Sequence, residues 1–117
     1  HSRQTCYEVQ RKSLVRFQNF KRLTQPKFNL TIEGFNLLVL REYEDFLRNE
    51  HIYIHTFPAI LKGAPLTLNL RPKSQNAISN RFKYIRSIYN WAIKTGRLQL
   101  NPMQGFKVAQ EIYGTPF

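Results

Sequence analysis

A chain of 117 residues with 42% hydrophobic content is long enough for one domain with a modest core, and too apolar for a disordered segment. Its formal charge of +11 and pI of about 10.2 call for an anionic partner, nucleic acid or less often an acidic membrane surface. A single cysteine, Cys6, and three scattered histidines exclude an internal disulfide and a tetrahedral zinc site.

The lone cysteine suits a reducing compartment. The longest apolar run, around Leu37 to Leu40, is far too short to span a membrane, and no signal-peptide pattern opens the chain. The charge is segregated. Residues 1–30 carry a net +6, residues 31–50 a net −3 and residues 51–117 a net +8. A general solubility charge has no reason to divide this way, so the partner is expected at the first and third segments and not at the second.

Residues 3–23 read as a first helix. Cys6, Tyr7, Val9, Leu14, Phe17 and Phe20 form its apolar arc, with Glu8, Arg11, Lys12, Asn19 and Lys21 opposite. Any one of these cations alone reads as part of a solvated face. As a group, the charge segregation turns them towards DNA phosphates. Gln4 and Thr5 are placed to reach base edges or phosphates, and Thr5 reads equally well as a cap. Gln25-Pro26 ends the helix, because the residue before proline is pushed out of the helical region. Residues 27–34 form a loop in which Phe28, Leu30 and Ile32 alternate as if to pack on the core.

Asn36 is a natural N-cap for a second helix of about Leu37 to Glu50, burying Val39, Leu40, Tyr43, Phe46 and Leu47. Glu42, Glu44 and Asp45 diverge on its outer face. No histidine or glycine-rich loop joins them, so a metal or acid–base role is not expected. Residues 51–72 read as an irregular connection. Pro58, Gly63, Pro65 and Pro72 break it, and Ile52/Ile54 and Leu66/Leu68/Leu70 suggest short extended pieces or a small hairpin. His51 and His55 are read as surface or loop-packing histidines rather than a metal pair.

Lys73 to Gly96 reads as one long helix. Ser74 is its N-cap and Gly96 stands where a left-handed residue ends it. Ile78, Phe82, Ile85, Ile88, Tyr89, Ala92 and Ile93 lie on one side, with Tyr84 and Trp91 at the edge of that arc and expected in the core. Asn76, Ser79, Asn80, Lys83, Ser87, Asn90 and Lys94 lie on the other. That side has short donors and acceptors, a few cations and no carboxylate, which is what a major-groove helix looks like. Arg81 falls within the apolar arc and is expected to pair with Glu42 or Glu50. Asn101-Pro102 starts a turn or a short further helix, and residues 106–117 read as an exit segment with Gly114 and Pro116 marking a hinge.

The stretch SQNAISNRFKYIRSIYNWAIKTGRLQLNP from Ser74 resembles the core-binding domain of tyrosine recombinases, the SAM-like helical domain of phage integrases. The likeness is strongest to integrases of Bacteroides-type mobile elements. SRQTCYEVQRKSLVRFQNF resembles the family's earlier DNA-facing helix, LREYEDFLRNE its acidic helix, and YGTPF the linker to a catalytic domain. The resemblance implies an all-α, orthogonal bundle of about four helices over residues 1–105. It also implies a linker at 106–117 leading to a separate catalytic domain. Residues of the first and third helices would contact a duplex recombination site: Gln4, Thr5, Glu8, Arg11 and Lys12, and Lys73, Gln75, Asn76, Ser79, Asn80 and Lys83, with Ser87 on the same stripe. It further implies a bacterial cytoplasmic, nucleoid-associated protein with other recombinase subunits as partners.

No catalytic residue, metal, cofactor or small-molecule substrate is expected in this chain. His-x-x-Arg is absent, and Tyr113 has no catalytic neighbours. The chain opens inside helical sequence and is expected to be a piece of a recombinase or transposase. The alternative is a basic helical module for an acidic protein partner. The small residues of the third helix argue against it, because interface hot spots favour Trp, Tyr and Arg.

Overall fold

Three α-helices and a short 3-10 turn make up the fold: α1 at Arg3–Arg22, α2 at Leu37–Thr56, the turn at Pro58–Leu61 and α3 at Gln75–Lys94. This is a computed structural model that describes residues 3–31, 34–65, 71–99 and 103, with side chains from residue 7 onward. Among the described residues there is no strand, and there are three α-helices where about four were expected. The expected Asn101-Pro102 start, the 106–117 linker, Ile32 and the Leu66/Leu68/Leu70 alternation lie outside the described residues.

The core is aromatic and joins all three helices. Phe17 of α1 packs on Tyr43 and Phe46 of α2, with ring centroids 5.1 and 5.6 Å apart. Tyr43 in turn meets Phe82 of α3 edge-on at 5.4 Å. Each of these rings is almost wholly buried, a contribution of about 2–3 kcal/mol apiece from area alone. Phe35, before α2, meets Tyr89 of α3 at 5.9 Å.

α2 starts where its cap places it, the Asn36 Oδ1 accepting the Val39 N–H at 2.9 Å. It does not stop at Glu50. Residues 51–56 continue the helix and bury Ile54, so the irregular connection expected from residue 51 is corrected. The apolar period runs Tyr43, Leu47, then position 50, then Ile54. A glutamate at 50 interrupts it in the sequence, yet Glu50 is fully buried. Pro58 is the first real breaker, and it opens the 3-10 turn that buries Ile60.

α1 turns a more polar side inward than its apolar arc implied. Gln10, Ser13, Arg16 and Lys21 are buried with Phe17, whereas Tyr7 and Val9 are exposed. The partners on α2 supply the reason. The Tyr43 hydroxyl lies 2.7 Å from Ser13 Oγ and accepts from Gln10 Nε2 at 3.3 Å. Lys21 Nζ reaches Glu42 at 2.7 Å. Arg16 Nε donates to Glu50 Oε2 at 2.5 Å, and its Nη1 donates to the Ala64 carbonyl. Buried polar groups cost free energy unless hydrogen-bonded, so α1 is rotated to where its polar groups find acceptors.

α3 is closed at both ends as its sequence indicates. Ser74 Oγ accepts the Ala77 N–H at 3.1 Å. At the far end Gly96 takes φ +81°, its N–H bonds to the Ile93 carbonyl, and the Arg97 N–H bonds to the Ala92 carbonyl at 2.8 Å. This paired pattern is the Schellman ending, and Leu98 packs back on the core after it. Ile78, Phe82, Ile85, Tyr89 and Ala92 are buried.

Candidate nucleic-acid interface

The side of α3 away from the core carries Asn76, Asn80, Lys83, Ser87, Asn90 and Lys94, all exposed. Alternating steps of four and three residues keep them on one stripe along the helix. Ser79 and Gln75 sit half-buried on its flank, where Gln75 Nε2 approaches Ser79 Oγ at 3.5 Å. α1 joins α3 alongside: Tyr7 meets Tyr84 edge-on, with centroids 5.8 Å apart. One turn further along α1, Arg11 is exposed next to that junction. The first and third helices, expected to act together, are therefore neighbours.

The remaining expected site residues divide by what they touch. Arg11 Nη2 is 2.6 Å from Glu8 Oε1. That hydrogen bond holds the Glu8 carboxyl below its ordinary range and raises Arg11 above its own. Lys12 is half-buried. Lys73 is engaged elsewhere, its Nζ lying 2.7 Å from Glu50 Oε1. Gln4 and Thr5 stand on the first turn of α1, but their side chains lie outside the described ones.

The acidic segment is largely neutralised within the fold. Glu42 pairs with Lys21, Glu44 with Arg41 and Arg48, and Glu50 with Arg16 and Lys73. Asp45 accepts from the Tyr53 hydroxyl at 3.2 Å. On α3 and just after it stand Arg81, Lys83, Arg86, Lys94 and Arg97, and among the described residues none of the five is ion-paired. The helix has no Asp or Glu. Its field is therefore positive, and at close range no carboxylate of its own opposes it.

Three side chains of α3 lie where the sequence did not place them, and one is Ile93, expected on the core side but exposed near the end of the helix. Trp91, expected in the core, is 50% exposed because Ala92 takes the buried position next to it. The Arg97 guanidinium lies over its ring, 5.1 Å from the centroid. The signal was Gly96: a left-handed ending folds the next residues back over the last turn. Arg81 does not pair with Glu42 or Glu50, whose carboxylates are held by Lys21 and by Arg16 and Lys73. It stands near Tyr43 instead. Its buried Nε has no hydrogen-bond partner among the described residues.

His51 and His55 occupy successive turns of α2. Among the described residues no three metal-ligating side chains are grouped, and no helix is long and apolar enough to cross a membrane. Residues 1–109 match the family of the phage integrase SAM-like domain, and the chain belongs to that family. No curated protein and no solved structure matches it.

Proposed function

We propose that the chain is the DNA-binding, core-binding domain of a site-specific tyrosine recombinase of a mobile element. It grips the duplex recombination site through the outer face of α3, with the first half of α1 alongside. The observation that carries this reading is the pairing pattern. Each acid of α2 has a partner inside the fold, while Lys83, Arg86, Lys94 and Arg97 stand exposed with no acidic partner among the described residues. Membership of the integrase SAM-like family supports the same partner.

Lysine and arginine on this face displace condensed counterions from phosphates, and this supplies affinity without sequence information. Asn76 and Asn80 add amides able to pair with the N6/N7 edge of adenine in the major groove. The role is one of holding rather than cutting. Strand cleavage belongs to a catalytic domain of the parent recombinase, which with this domain forms a clamp around DNA and assembles with other subunits in the bacterial cytoplasm.

Titration of a labelled duplex across a series of salt concentrations tests the reading. About four phosphate contacts give a slope of log K on log salt of roughly −3.6. Absence of binding at low salt would refute a DNA-binding role and return the basic face to an acidic protein partner.

A further inference from the structure

We propose that Trp91 and Arg97 form a second DNA-contacting element beside the α3 stripe. In it the indole orients the guanidinium to donate two parallel N–H bonds to one pair of acceptors on the duplex. The inference rests on the DNA-binding reading above and adds to it Trp91, which lies outside the polar stripe, and a defined position for the Arg97 cation that the charge pattern alone does not give.

Three observations converge on the pair. Trp91 is half exposed, and its helical neighbours at four residues before and three after are Ser87 and Lys94 of the polar stripe. The Arg97 guanidinium lies over the ring at 5.1 Å. Its backbone is fixed by the turn at Gly96 and by its own N–H bond to the Ala92 carbonyl. A guanidinium over an aromatic ring is attracted through its charge and spends none of its N–H donors on the contact. Among the described residues no carboxylate or carbonyl takes those donors. The result is a planar, permanently charged fork placed against the indole at the end of a positive helix face.

Phosphate oxygens and the O6/N7 edge of guanine both present acceptor pairs that match such a fork. A protein partner fits less well. The ring face that would serve as an apolar anchor is already covered by Arg97, and its surroundings are hydroxyl, amide and ammonium groups.

Trp91 is the single tryptophan of the chain, so its fluorescence reports this site alone. The test compares the wild-type protein with Arg97→Ala, Arg97→Lys, Trp91→Ala and Trp91→Phe. Duplexes of about 20 bp with and without G·C pairs are used, and the fold of each variant is checked by circular dichroism. Duplex addition is expected to change wild-type emission with the same midpoint as the anisotropy of labelled DNA. Arg97→Ala is expected to weaken binding by about tenfold. Arg97→Lys should recover only part of the loss, because an ammonium keeps the charge but not the fork. Trp91→Ala should weaken binding with an unchanged salt slope, and Trp91→Phe should restore most of it.

A loss confined to G·C-containing duplexes identifies the guanine edge. An equal loss on all duplexes, with a slope shallower by about one, identifies a phosphate. Either result supports the proposal. Salt-dependent wild-type binding with unchanged affinity in all four variants would overturn it and leave the proposed function standing. So would variants that change self-association but not DNA affinity. Absence of wild-type binding would overturn both.

Discussion

The ammonium of Lys73 lies 2.7 Å from the carboxylate of Glu50, a side chain that is only 1% exposed. Glu50 also takes Arg16 of α1, so one carboxylate ties α1, α2 and the residue before the α3 cap. Removing one partner of a buried pair leaves the rest uncompensated, so Glu50→Ala should lower stability by about 3–5 kcal/mol. Denaturant unfolding monitored by circular dichroism measures this. Lys73→Ala should cost less, since Lys73 is partly exposed, and should leave the salt slope of DNA binding unchanged. A shallower slope in that variant would assign Lys73 to DNA after all.

Tyr43 gives a pH prediction. Burial pushes its phenol up from 10.0 to about 12, opposed by the hydrogen bond with Ser13. The unfolded chain loses this proton first as pH rises, so the folded state holds more protons between about 10 and 12. The stabilisation is complete below pH 10 and lost as pH climbs towards 12. It amounts to roughly 2–3 kcal/mol as an upper figure. Comparing Tyr43→Phe with the wild type over pH 9–12 isolates it: the wild type should lose stability more steeply across that interval.

Gly96 closes α3 at φ +81°, and a Cβ there would meet nothing within 4 Å. Gly96→Ala therefore costs backbone strain alone, about 1–2 kcal/mol. Gly96→Asn should cost less, because asparagine tolerates the left-handed region. Thermal melts of the two variants rank them. Equal stability of Gly96→Ala and the wild type would mean that the turn is not held as described.

Glu8 is the one acid of α1, and it holds Arg11 at 2.6 Å on the face expected to meet phosphates. Glu8→Gln removes a repelling charge and releases the guanidinium. Duplex affinity should rise, and the salt slope should steepen by about one if Arg11 then reaches a phosphate. Unchanged affinity would place this part of α1 away from DNA.

How legible these features were depended on whether local signals agreed. α3 was readable end to end because Ser74, the apolar spacing and Gly96 mark the same helix. The buried side of α1 and the second half of α2 were not. Ser13, Gln10 and Arg16 are buried because acceptors lie 30 to 34 residues away in the sequence. Glu50 breaks an apolar period for the same reason. Hydrophobic patterning scores such residues as surface, and only the fold shows the partners that make their burial tolerable. Of the candidate site, the polar stripe of α3 was legible from spacing. The exposure of Trp91 depends on which of two adjacent residues faces the core, which a single helix period leaves undetermined.

The outer face of α3 as the DNA-binding surface is tested most directly by the salt dependence of duplex binding by Lys83→Ala/Lys94→Ala. Both lysines are exposed, so the fold should survive their removal. The account predicts weaker binding at low salt and a slope shallower by roughly 1.8 than that of the wild type. A double variant with wild-type affinity and slope would contradict it.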